Sequence, residues 1–348
     1  METTMKRISL SPFAHNGNTV QKAMIDVIIA LLPAVAVSIY FFGVQALILL
    51  LVTVVSALLF EWIARKIMKR ENSLWDCSTI VTGILLTLTL PVSTPIPIAI
   101  LGSFLAIVLV KQFFGGLGCN IFNPAIAARG ILLISFSVPL TTWVEPGKGL
   151  DAIASATPLV QVKEMFKLLS VGDGSGAVSL AHNVDSNPDA LWALFIGNTS
   201  GSLGETSVVA LLIGGIYLAF RKRIHLEIPL LYIGTCFVIA WIIGSMNGLG
   251  IVFPILHILS GGLFLGAIFM ATDWVTKPLT RKGRIIYAIA LGVITMIIRL
   301  QGNYPEGVLF SILIMNMFVP LMDRHLRKRI FGKIKIKKKG RAKDEKVA

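Results

Sequence analysis

Cysteine is nearly missing from this chain, with three in 348 residues, at Cys77, Cys119 and Cys236. None stand in a Cys-x-x-Cys spacing, and three scattered thiols cannot supply the four ligands of an iron–sulfur cluster. Charge is scarce too, at 14% of residues, and acid is scarcer than base, with 18 Asp and Glu against 32 Lys and Arg. There is no Ser/His/Asp arrangement of a hydrolytic triad, no metal-ligand cluster and no glycine-rich loop after a strand. These absences exclude the common hydrolase, metalloenzyme and nucleotide-binding classes. The net charge of +14 would suit nucleic acid if it were spread over a surface. The basic residues instead sit at the ends of apolar runs and in the tail, where they report membrane topology. No nucleic-acid partner is expected.

What the chain has in abundance is oil, at 55% hydrophobic residues. Apolar runs of about 20 residues recur, the length a helix needs to cross ~30 Å of hydrocarbon. The fold class is therefore an all-α polytopic membrane protein. Spans are read at 23–42, 44–64, 77–90, 97–113 and 121–138, then at 206–220, 228–245, 251–272, 285–300 and 306–322. This divides the chain into a polar lead (1–22), a first membrane half (23–138), a long loop (139–205), a second half (206–322) and a basic tail (323–348). The lead is polar up to Lys22 and the first apolar run is long enough to span, so no cleavable signal peptide is expected.

The cations orient these spans. Starting from an inside N-terminus, Arg65, Lys66, Lys69 and Arg70, then Arg221 to Arg223, then Lys277, Arg281, Lys282 and Arg284 all fall on inner connections. The short turns at Pro91–Ile96 and Ser245–Gly250 carry no charge and fall outside, as does the acid-rich loop from Pro139 to Glu205. Both termini are then cytoplasmic, and the tail lies against anionic lipid.

About ten spans split evenly by the loop require two equivalent halves to face opposite ways. Pro95 leads through an apolar span to a Gly/Asn turn and Pro124, as Pro278 leads through another to Gly302, Asn303 and Pro305. Either these are inverted repeats of the transporter kind, or Gly-Asn-Pro turns simply cap the spans.

The loop contains Asp151-Ala152-Ile153-Ala154-Ser155-Ala156-Thr157-Pro158-Leu159. Thr157-Pro158 reads as a helix start, with Thr157 as N-cap and Pro158 at the first helical position. From Pro158 to Leu169, residues Leu159, Val162, Met165, Phe166 and Leu169 fall on one face. Thr157 is then either an ordinary cap or the anchor of a phosphate, since an anion at a helix N-terminus meets unpaired N–H groups and the positive end of the dipole.

This stretch is similar to the covalent-flavin sequence of the Rnf and sodium-pumping NADH:quinone oxidoreductase complexes, with Ala154 departing from the hydroxyl residue often found there. The likeness extends in order through Gly115 to Pro124, Thr141-Thr142-Trp143, Gly201 to Ser207, and Thr272 to Thr280. The chain resembles the RnfD component of the Rnf complex. It is close also to the homologous NqrB component of the quinone reductase, which usually has a longer N-terminal extension. The resemblance implies FMN joined through its phosphate to Thr157, with Ser155 supporting. It further implies electron transfer between ferredoxin and NAD coupled to Na⁺ or H⁺ transport, other Rnf subunits as partners, and the bacterial cytoplasmic membrane as location. A fold related to urea-transporter-like channels is also implied. The rival function is a non-redox channel of that type.

A flavin on the outer rim cannot alone bridge ~30 Å of hydrocarbon to cytoplasmic donors. A second, uncharged carrier such as riboflavin is expected between the halves, near Asn120 and Asn123; those two residues can equally be a tight turn and an N-cap. Arg129, Asp26, Glu61 and Asp273 are candidate ion-path charges, the last three near enough to the inner surface to be wet. His257 is expected to be hydrogen-bonded within the bundle. The turn Gly201 to Ser207 either offers N–H groups to an anion or caps the next span.

Overall fold

The computed structural model describes residues 19–147, 158–171, 174–185, 188–205, 207–302 and 306–326. Every regular element among them is helical. Five helices are long and apolar enough to cross a membrane: α1 (Val20–Phe42), α2 (Val44–Ile67), α11 (Glu227–Met246), α14 (Arg281–Gln301) and α15 (Val308–His325). A sixth candidate is a bent pair, α12 (Val252–Leu259) and α13 (Leu263–Met270), which turns by 61° at Ser260–Gly262. Four further helices are apolar but shorter: α3 (Ser78–Thr89), α4 (Ile96–Gln112), α5 (Pro124–Ser135) and α10 (Val208–Phe220). Each expected span falls on one of these helices or on the bent pair.

The short helices are stopped by local chemistry. Helix α3 ends before Pro91, and α5 starts at Pro124 under an Asn123 cap whose Oδ1 accepts from the N–H groups of Ala125 and Ile126. The bend between α12 and α13 occurs where Gly261 has φ +75°, a conformation that favours glycine. The last part of α4, Leu105–Gln112, widens into π-type turns, which frequently mark functional sites.

Helix α1 packs on α10 and α5 on α15, while α2 packs on α3 and α4 as α11 packs on α12 and α14. In the central loop lie α6 (Ser137–Thr141), α7 (Pro158–Val171), α8 (Gly174–Asp185) and α9 (Pro188–Ile196). Helix α7 buries Leu159, Val162 and Met165 and packs on α12 and α14. The apolar stripe expected from Pro158 to Leu169 is thus the face that docks the loop onto the second membrane half.

Candidate functional site

A cleft opens between the halves, walled by α1, α3, the Gly115–Pro124 turn, and the segment from Phe269 to Val275. Asn120 and Asn123 both line it. The turn that carries them can form because Gly115, Gly116 and Gly118 all take positive φ, and a Cβ on Gly116 would lie 2.9 Å from Arg65 Nη2. Asn120 Nδ2 donates to the Phe122 carbonyl at 2.9 Å. Asn123 spends its Oδ1 on the α5 cap and places Nδ2 3.5 Å from the Met270 carbonyl. These amides are therefore a turn lock and an N-cap first, and a wall of the cleft second.

Two cations line the same cleft, and each is already paired. Lys111, brought inward by the π-type end of α4, donates to Glu61 Oε1 at 3.0 Å, Ser78 Oγ at 2.9 Å and Thr79 Oγ1 at 2.8 Å. Glu61 also accepts from Ser73 at 2.7 Å and from Gln112 at 2.9 Å. Arg223 donates to Asp26 at 2.6 Å, and Arg221 and Tyr217 reach the other oxygen at 3.1 and 3.2 Å. Asp26 and Glu61 are thus buried ion-pair members and not wet surface acids (4% and 0% exposed). The residues of each pair are far apart along the chain, so no sequence pattern singles out either partnership.

Thr157 and Ser155 lie outside the described residues. The helix that begins at Pro158 is held by its buried face against α12 and α14.

Within the Gly201–Ser207 turn, the N–H groups of Ser202 to Glu205 are all engaged within the protein. The Leu203 and Gly204 N–H groups donate to the Leu90 and Leu88 carbonyls at 3.1 and 2.7 Å, satisfying the C-terminal end of α3. Ser207 caps α10 by accepting from the Ala210 N–H at 3.3 Å. His257 also departs from expectation. It is 1% exposed, neither ring nitrogen has a hydrogen-bond partner, and the ring packs edge-to-face on Phe253 at 4.6 Å. Arg299, which carried no sequence signal beyond its charge in a span, donates to the carbonyls of His257 and Ser260. Arg129 is likewise buried and donates to the Leu140 carbonyl at 3.2 Å. Among the described residues, no group of His, Cys, Asp and Glu is placed to hold a metal ion.

Comparison with known proteins matches residues 7–332 to the NQR2, RnfD, RnfE family. Over 345 residues the chain is 42% identical to the D subunit of the Na⁺-translocating ferredoxin:NAD⁺ oxidoreductase complex of Acetobacterium woodii, covering 96% of this chain and 98% of that one. It is 40% identical over 328 residues to the D subunit of the proton-translocating ferredoxin:NAD⁺ oxidoreductase complex of Clostridium ljungdahlii, covering 93% and 96%. It is also 40% identical over 336 residues to the D subunit of the ion-translocating oxidoreductase complex of Stutzerimonas stutzeri, covering 91% and 93%. With a match this long, the chain belongs to the NQR2, RnfD, RnfE family.

Proposed function

We propose that this chain is the membrane flavoprotein subunit of an ion-translocating ferredoxin:NAD⁺ oxidoreductase. It relays electrons through FMN esterified to Thr157 and couples them to Na⁺ or H⁺ transport in concert with the other subunits. The observation that carries this reading is the nearly full-length likeness to the D subunits of such complexes from three organisms. The docked helix at Pro158 adds physical support, because the N-terminus of a fixed helix favours a phosphate on the preceding hydroxyl.

The cleft between the halves suits a second, uncharged flavin such as riboflavin. Its two lining cations, Lys111 and Arg223, are already committed to Glu61 and Asp26, which leaves them ill placed to neutralise a phosphate. Met24, Val27, Val81 and Leu85 would flank the ring system, with Asn120 and Thr82 at the polar edge. A bound flavin supplies the redox chemistry, and these residues supply position and polarity.

The helix pairing supports two inverted repeats of about five helices each, of the urea-transporter kind, with α1 matched to α10 and α5 to α15. In this arrangement both termini face the cytoplasm and the loop holding α7 to α9 faces outward, as the cations require. In-gel fluorescence of the purified, denatured chain tests the reading. A flavin band that survives denaturation is expected, whereas a colourless chain from an active complex would overturn covalent attachment.

A further inference from the structure

Two carboxyls that electron relay does not use meet at the break between α12 and α13. Glu205 comes from the turn before α10 and Glu306 from the turn before α15. Both crowd one glycine, for a Cβ on Gly262 would lie 2.6 Å from Glu306 Oε1 and 3.1 Å from Glu205 Oε1. The Gly262 N–H donates to Glu306 Oε1 at 3.3 Å, and the Ser202 N–H donates to Glu205 Oε2 at 3.4 Å. Both carboxyls thus converge on the same point of the backbone, close enough for one to raise the cost of ionising the other. They line two small adjoining pockets.

An independent feature points into the second cavity. Arg129 lines it from α5, is 3% exposed, and leaves Nη1 without a hydrogen-bond partner. A buried donor left unpaired is costly, and a buried guanidinium needs a counter-charge. The other cation on this side is Arg299 of α14, whose Nη2 would lie 3.0 Å from a Cβ on Gly261. Its two Nη atoms donate to the His257 and Ser260 carbonyls, where the negative end of the α12 dipole offsets much of its charge, while its Nε has no hydrogen-bond partner. His257 of α12 lies beneath Arg299 and does not line either cavity. The pair is therefore balanced chiefly by Arg129. One negative charge shared by two carboxyls cancels that cation, and two negative charges or none would leave an excess.

We propose that Glu205 and Glu306 form a single-proton binding site opposite Arg129, which exchanges its proton through the cavity lined by Trp143, Thr199 and Ser200. Loading converts two carboxylates and one proton into a hydrogen-bonded acid–carboxylate pair; release reverses this, and no electron is gained or lost. Burial and the neighbouring Glu306 push the Glu205 carboxyl up to about 8, so the site would load and empty near neutral to mildly alkaline pH.

The test is infrared difference spectroscopy of the assembled complex, titrated with the flavins held oxidised, which reads carboxyl protonation and not electron transfer. A protonated-carboxyl carbonyl band should shift in deuterated buffer and vanish as pH rises through about 8. Glu205→Gln and Glu306→Gln should each remove that band, because the remaining carboxyl then faces Arg129 alone and ionises. If the Gln variants do not assemble, Glu306→Asp decides: it keeps the acid but shortens its reach, so the midpoint must move. A band that survives in both Gln variants, or a midpoint unmoved in the Asp variant, would overturn the proposal. So would loss of the band on adding Na⁺ at constant pH, which would make the pair a metal-cation site.

Discussion

Lys111 Nζ lies 3.0 Å from Glu61 Oε1, and the two side chains are 3% and 0% exposed. Removing one partner of a sealed pair strands the other charge, which costs about 3–5 kcal/mol. Arg65, with its Nε 4.0 Å from the same carboxylate, only partly replaces the lost cation. Lys111→Met should therefore lower the thermal unfolding midpoint of the solubilised protein substantially. The double variant Lys111→Met/Glu61→Gln should recover most of the loss, since neither residue then carries a buried charge. A single variant as stable as the parent would show that the pair is not structural.

Thr157→Ala should abolish covalent flavin while the membrane helices stay inserted. A helix cap contributes only about 1 kcal/mol, so folding should survive. Peptide mass spectrometry reads the outcome directly. FMN found on a residue other than Thr157 would refute the assignment, and Ser155→Ala should retain the flavin.

Topology can be read by labelling single cysteines in a background without Cys77, Cys119 and Cys236. A membrane-impermeant reagent added outside should modify Ser175→Cys, at an exposed position near the start of α8. It should miss Asn72→Cys in the α2–α3 connection. Ser73 beside it is unsuitable as a probe, being 8% exposed and hydrogen-bonded to Glu61. The opposite labelling pattern would invert the topology.

Filling the cleft should evict the second flavin without touching the first. Leu117→Trp places a large ring among the lining residues and should abolish the riboflavin released by acid extraction, leaving covalent FMN unchanged. Asn123→Ala should lose release more mildly and also destabilise α5 by about 1 kcal/mol, because its primary task is the cap. Stoichiometric release from Leu117→Trp would place that flavin elsewhere.

Several features needed only the sequence. The positions of the five long apolar helices follow from apolar run length, which the bilayer sets without reference to neighbours. The Asn123 cap before Pro124 and the Ser207 cap of α10 are equally local, since each bonds within a few residues of itself. Even the loop's mode of docking could be read from the Leu159–Val162–Met165 stripe. The sequence left Asn120 and Asn123 open between a carrier pocket and a tight turn with an N-cap; in the structure they form the turn and the cap and also line a cleft.

Only the tertiary structure decided where the charges go. Asp26 finds Arg223 at a separation of 197 positions and Glu61 finds Lys111 at 50, and no local pattern announces such partners. The Leu203 and Gly204 amides could have faced an anion as far as composition goes; they are consumed because the carbonyl end of α3 is brought to them. Glu205 and Glu306 become one site only when two turns from different parts of the chain converge on Gly262. In a membrane body every buried polar group must find a partner within the protein, and helix packing, not spacing along the chain, determines which partner is in reach.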